Sequence, residues 1–174
     1  MKKFLGYAAA VLALTAAGVG CSDNPNAPKP TTVVFTAQLS PANEVPPVTN
    51  GDANASGTAT ITFNNLTYRS SGEVEAGTVD FQVSLSGFPV ATQVTGAHVH
   101  QGAPGIAGAI VIETGLTAAG GMTLVTGSGT ISRTGIAVDG DIVDALIANP
   151  AGYYFNVHTT ANTGGAIRGQ LVKQ

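Results

Sequence analysis

Apolar and polar residues alternate over residues 32–39, where Val33, Phe35, Ala37 and Leu39 share one side and Val34, Thr36 and Gln38 the other. A strand sends successive side chains to opposite faces, so this period of two predicts a half-buried β-strand. The spacing returns in residues 57–63, with Ala59, Ile61 and Phe63 inward, and in residues 78–85, with Val79, Phe81, Val83 and Leu85 inward. Valine and threonine, common in these runs, suit a pleated surface. Further strands are expected over 95–100, 109–113, 121–131, 152–159 and 166–172, divided by the Gly, Asn, Pro and Ser that turns require. One segment changes period. Residues 141–148 place Ile142, Val143, Leu146 and Ile147 at helical spacing, open on Asp141 as a capping aspartate and stop at Asn149-Pro150. About eight short strands and one short helix predict an all-β fold, an antiparallel Greek-key β-sandwich over 33–172, with a closed barrel as the alternative.

The N-terminus follows a different logic. MKKFLGYAAAVLALTAAGVGC carries two lysines, then an apolar run, then small residues, the order of a secretory signal peptide over 1–20. The run is shorter than the roughly 20 residues of a spanning helix and is followed by polar SDNPNAPKP. The single cysteine, Cys21, excludes an intrachain disulfide. GVGC (18–21) resembles a bacterial lipobox, with Gly18 where that motif usually has leucine, and the resemblance implies lipidation of Cys21. Each buried acyl CH₂ adds ~0.8 kcal/mol, so more than one chain anchors stably. Residues 21–32, rich in Pro, Asn and Ser, read as a flexible tether. The expected address is therefore outside the cytoplasm, on a membrane reached through Cys21. By resemblance to sorting rules, Ser22 points to the outer membrane or cell surface.

Loss of Lys2 and Lys3 with the signal leaves five basic residues against ten acidic ones, a net charge of −5. That balance speaks against nucleic acid, whose recognition needs basic patches. With no tryptophan, only Tyr153-Tyr154-Phe155 offers an aromatic platform for a glycan.

Candidate chemistry lies in the three histidines. His98 and His100 stand two apart and share a strand face, while Ala97 and Val99 turn away. Tyr154, Asn156 and His158 share a face of a later strand, and Arg168 and Gln170 a face of the last. Side by side, these strands would bring the histidines, Asn156 and Arg168 together. Three neutral imidazoles can hold zinc or copper and leave a position open for water. They can equally brace the sheet by hydrogen bonds to Glu44, Asn156 and backbone, or perform acid–base chemistry without metal. Arg168 is expected to pair bidentately with Glu44, tying the Glu-Val-Pro-Pro segment to the last strand. No nucleophile elbow, Walker loop, CxxC or paired-carboxylate signature is present, so an enzyme is not the preferred reading.

Four segments in order, PANEVPPV (41–48), GAHVHQGAPGIAG (96–108), YFNVHT (154–159) and GGAIRGQL (164–171), resemble the CHRD domain, named for the secreted animal protein chordin and found in many exported bacterial proteins. The resemblance implies a binding or structural module at the cell envelope, with an envelope protein or glycan as partner. Growth-factor-like protein binding follows only by analogy with chordin. A fainter similarity in fold type links the chain to the copper–zinc superoxide dismutases. His98 and His100 match their paired copper ligands and His158 a late one, but the remaining ligands have no counterpart here, so dismutase activity is not implied. The alternative function is a small copper or zinc metalloprotein using His98, His100 and His158.

Overall fold

A computed structural model describes residues 28–174; the expected signal peptide and Cys21 lie outside the described residues. The three alternating segments form β1 (Val33–Leu39), β2 (Ser56–Tyr68) and β3 (Val74–Ser86), which run antiparallel as consecutive neighbours. The chain then crosses to a second sheet through β4 (Thr92–Gln101), β5 (Ile110–Glu113) and β6 (Met122–Leu124). It returns to the first as β7 (Gly129–Asp139), beside β3. After the helix α1 (Gly140–Ala148) come β8 (Tyr153–Thr159), β9 (Ile167–Gln170) and β10 (Val172–Lys173). The first sheet runs β10-β1-β2-β3-β7 and the second β5-β4-β8-β9, with β6 also on β4. Three consecutive strands with a fourth returning by a long connection beside the first, here β10-β1-β2-β3, is Greek-key order.

Among the described residues the fold is thus an all-β sandwich of two antiparallel sheets with one short α-helix. Ten strands stand there where about eight are expected, because two runs break. Residues 121–131 divide into β6 and β7 at Gly127, where φ is +74° and an added Cβ would strike the Phe88 carbonyl. Residues 166–172 divide at Leu171, where the chain leaves the second sheet for the first. Leu171 N–H still donates to Tyr153 O (2.9 Å), while Thr36 already pairs with Val172. The helix matches 141–148 within one residue, but its cap is Asp139, whose side chain accepts from Asp141 N–H at 2.8 Å. Asp141 therefore sits in the first turn, and Asp144 accepts from Val74 N–H across to β3 (2.8 Å).

The alternation puts every inward residue of β1, β2 and β3 named above into the interior. Phe35 meets Phe63 edge to face at 5.7 Å between centroids, and Phe81 meets Phe155 from the facing sheet at 5.8 Å. Burying such a side chain stabilises the fold by about 1.5–3 kcal/mol. From the second sheet, Ala97, Val99, Phe155, Val157 and Ile167 complete the interior. Their strand neighbours, His98, His100, Tyr154, Asn156, His158 and Arg168, must therefore face away from it.

A roofed histidine cluster

The outward face of β4, β8 and β9 is not open to solvent. Tyr154, Asn156 and Arg168 are 3%, 1% and 2% exposed, and His100 is 7% exposed. Three loops cover this face: residues 41–50, the turn after β4 at residues 102–109, and the β8–β9 connection at residues 160–166. The four family-like segments are those strands and their roof.

Strand pairing sets the histidines together. His98 lies opposite Asn156, Gly96 opposite His158 and His100 opposite Tyr154, so His98 and His158 meet diagonally on one face. One ring nitrogen from each of His98, His100 and His158 lies within 4.8 Å of the others. Each ring is held from outside. His100 Nδ1 is 2.9 Å from Gly108 O, His158 Nδ1 is 2.9 Å from Thr163 O, and His98 Nε2 is 3.1 Å from a Glu113 carboxylate oxygen. Those partners only accept, so each of these nitrogens carries the N–H. Gly108 is required for this: a Cβ would collide with the Gln101 carbonyl.

The opposite nitrogens consequently hold lone pairs. His98 Nδ1 and His100 Nε2 are buried with no partner among the described residues. His158 Nε2 has Asn156 Oδ1 at 3.0 Å, lone pair against lone pair, an arrangement that a cation between them or a turned-over amide would satisfy. Burial holds the His98 imidazole down at about 4, helped by the neighbouring His158 and His100, and burial also lowers His158 against the opposing pull of the Thr163 carbonyl. At neutral pH His98 and His158 are therefore uncharged, and the contact from His98 to Glu113 is a hydrogen bond to an exposed carboxylate rather than an ion pair. A cleft of about 490 Å³, bordered by Thr95, Ile110, Thr160 and Thr163, opens onto His98 and His158.

The other expected residues divide. Asn156 joins the histidine cluster. Among the described residues Glu44 makes no hydrogen bond to a histidine, and the expected bidentate pair with Arg168 is not formed: Arg168 Nη1 donates instead to Ile106 O (3.1 Å), and its guanidinium stacks 4.0 Å from the centre of Tyr154. The opposite face of Tyr154 stacks on His100 at 4.8 Å and 5°. Tyr154, Glu113 and the carbonyls of Gly108 and Thr163 escape a sequence reading. Only Tyr154 left a trace, by alternation on the face of His158.

Burial pushes the Glu44 carboxyl up to about 7, more than Arg168 and the Val45 N–H pull it down. A carboxyl raised on folding stabilises the fold below its ordinary range and loses that contribution as pH rises towards 7. The lowered His98 and His158 give the opposite slope, so comparison with Glu44→Gln isolates the effect. Relative to wild type, Glu44→Gln should gain about 2 kcal/mol between pH 5 and pH 8, after discounting the shift for solvent screening. Urea midpoints at the two pH values check this; a constant difference would mean that Glu44 ionises normally.

Fold and roofed polar face together define an all-β binding or structural domain. A family model for the CHRD domain matches residues 35–171, and the chain belongs to the CHRD domain family. No curated protein and no solved structure matches it.

Proposed function

We propose that this CHRD domain is an envelope-anchored binding module that holds one zinc or copper ion on His98, His100 and His158. One observation supports the reading above others: all three imidazoles donate outward to fixed acceptors and so aim three lone pairs inward. Metal-binding histidines characteristically hand their second N–H to a carbonyl or carboxylate, which fixes the tautomer. A purely bracing cluster has no need to leave His98 Nδ1 and His100 Nε2 buried without partners. Zinc or copper would draw the nitrogens together to bond lengths near ~2.0–2.1 Å and accept a further ligand from the cleft. Once the N-terminal signal is removed, Cys21 would hold the module on a membrane through its acyl chains.

Native mass spectrometry tests both parts on the chain extracted from membranes without a polyhistidine tag. After exposure to Zn²⁺ or Cu²⁺ and desalting, each chain should keep one ion, and the folded H98A/H100A/H158A variant none. An ion-free wild type, or a variant that keeps its ion, removes the metal reading. The same spectrum reads the N-terminus: the chain should begin at an acylated Cys21, and any unmodified start elsewhere removes the anchor.

A further inference from the structure

We propose that the cleft between Arg168 and Glu44 is a second binding site, for a small monocarboxylate with a branched apolar body. It shares no residue with the histidine cluster and does not depend on the metal reading. The cleft has a volume of about 650 Å³, within the range of small-molecule sites, and Val45, Pro47, Pro104, Arg168 and Gln170 line it with Glu44.

Arg168 is unusual in this lining. It is 2% exposed, one guanidinium nitrogen is spent on Ile106 O and one face on Tyr154. Nε and Nη2 have no partner among the described residues. These two nitrogens form one edge of the guanidinium, and their parallel N–H bonds are the fork that receives both oxygens of a carboxylate. The nearby acid of the chain does not fill it. Glu44 is 5% exposed, lies against Gly165, whose φ of +134° and missing Cβ make room for the carboxyl, and leaves Oε1 without a partner. A buried donor edge and a buried acceptor, both unsatisfied across one cleft, are what remains when a third group belongs between them.

Charge and shape narrow the class. Among the described residues Arg168 is the one cation lining the cleft and Glu44 the one acid, so with Glu44 protonated the site balances a single negative charge and not a phosphate dianion. Raised to about 7, Glu44 is largely protonated in mildly acid surroundings and donates an O–H to the same ligand. The apolar walls favour a branched aliphatic body over a bare anion such as acetate. Because the fork is buried, the proposal requires residues 41–47 to part from the turn at Pro104-Gly105 when the ligand binds.

The test is a titration of the full mature chain with 3-methylbutanoate, with 3-methylbutanamide as the uncharged match, followed by NMR. The Arg168 Nε–H resonance of the wild-type protein is the reporter, which avoids any variant that fails to fold. The acid should shift it in a saturating curve, at an affinity about tenfold or more above the amide, since a charge-assisted fork is lost. Arg168→Lys, where it folds, keeps the charge, loses the fork and should weaken binding by about the same factor. H98A/H158A, which leaves the His100–Tyr154–Arg168 stack in place, should bind the acid as wild type does. A reporter that responds to neither probe, leaving the two groups bridged by water, overturns the proposal; so does an equal response to acid and amide.

Discussion

Zinc at a hundred times its dissociation constant should raise the thermal midpoint of the domain by about 8 °C, and H98A/H100A/H158A should not respond. The size follows from linkage: an ion held only by the folded chain adds about 2.7 kcal/mol at that concentration, and each kcal/mol moves a domain of this length by about 3 °C. The folded state alone supplies the site. Without β4 and β8 paired, His158 has no fixed place near the His98-Val-His100 pair, so the unfolded chain offers two ligands on a flexible segment. Differential scanning calorimetry with and without the ion measures the difference. An unmoved midpoint, or an equal rise in the variant, would show that the imidazoles serve the sheet and not an ion.

The largest effect expected of a single substitution is at the opposite face of the same strand. Phe155→Ala should cost about 3–5 kcal/mol, because the ring is fully buried, packs on Phe81 of the facing sheet and leaves a cavity that two sheets cannot close. Urea unfolding gives the loss. Metal stoichiometry of the folded fraction should stay at one, since Phe155 points into the interior while His158 and Asn156 point out of it. A cost below about 1 kcal/mol would mean that the sheets slide together to fill the space. A change in stoichiometry would mean that interior packing and imidazole placement are not separable.

Much of this design was legible because alternation is a local rule with a three-dimensional meaning. It placed Phe35, Ile61, Phe81 and Val83 inside, and by the same rule put His98 with His100 and Tyr154 with His158 on a second surface. The helix showed itself by its change of period. What local rules do not carry is the position of one loop over another sheet. That Gly108 and Thr163 would present carbonyls to His100 and His158 depends on how residues 102–109 and 160–166 fold back. The Arg168 side chain was placed correctly by its strand, yet its partners are Ile106 and Tyr154. The roof brings the Ile106 carbonyl to the guanidinium, and the neighbouring strand β8 brings the Tyr154 ring.

The short stretch from Ile167 to Lys173 belongs to both sheets: β9 pairs with β8, and β10, two residues later, pairs with β1. Ser40 and Arg168 add a bridge at the same corner. One of the two partners of the first strand is thus among the last parts of the domain to leave the ribosome, with Phe35 waiting for Lys173. Contacts so distant along the chain form late and slowly. Until then one side of β1 and one side of β8 are unpaired, and the polypeptide has no closed form to settle into. A growing chain of this kind stays threadable until β9 and β10 have both emerged.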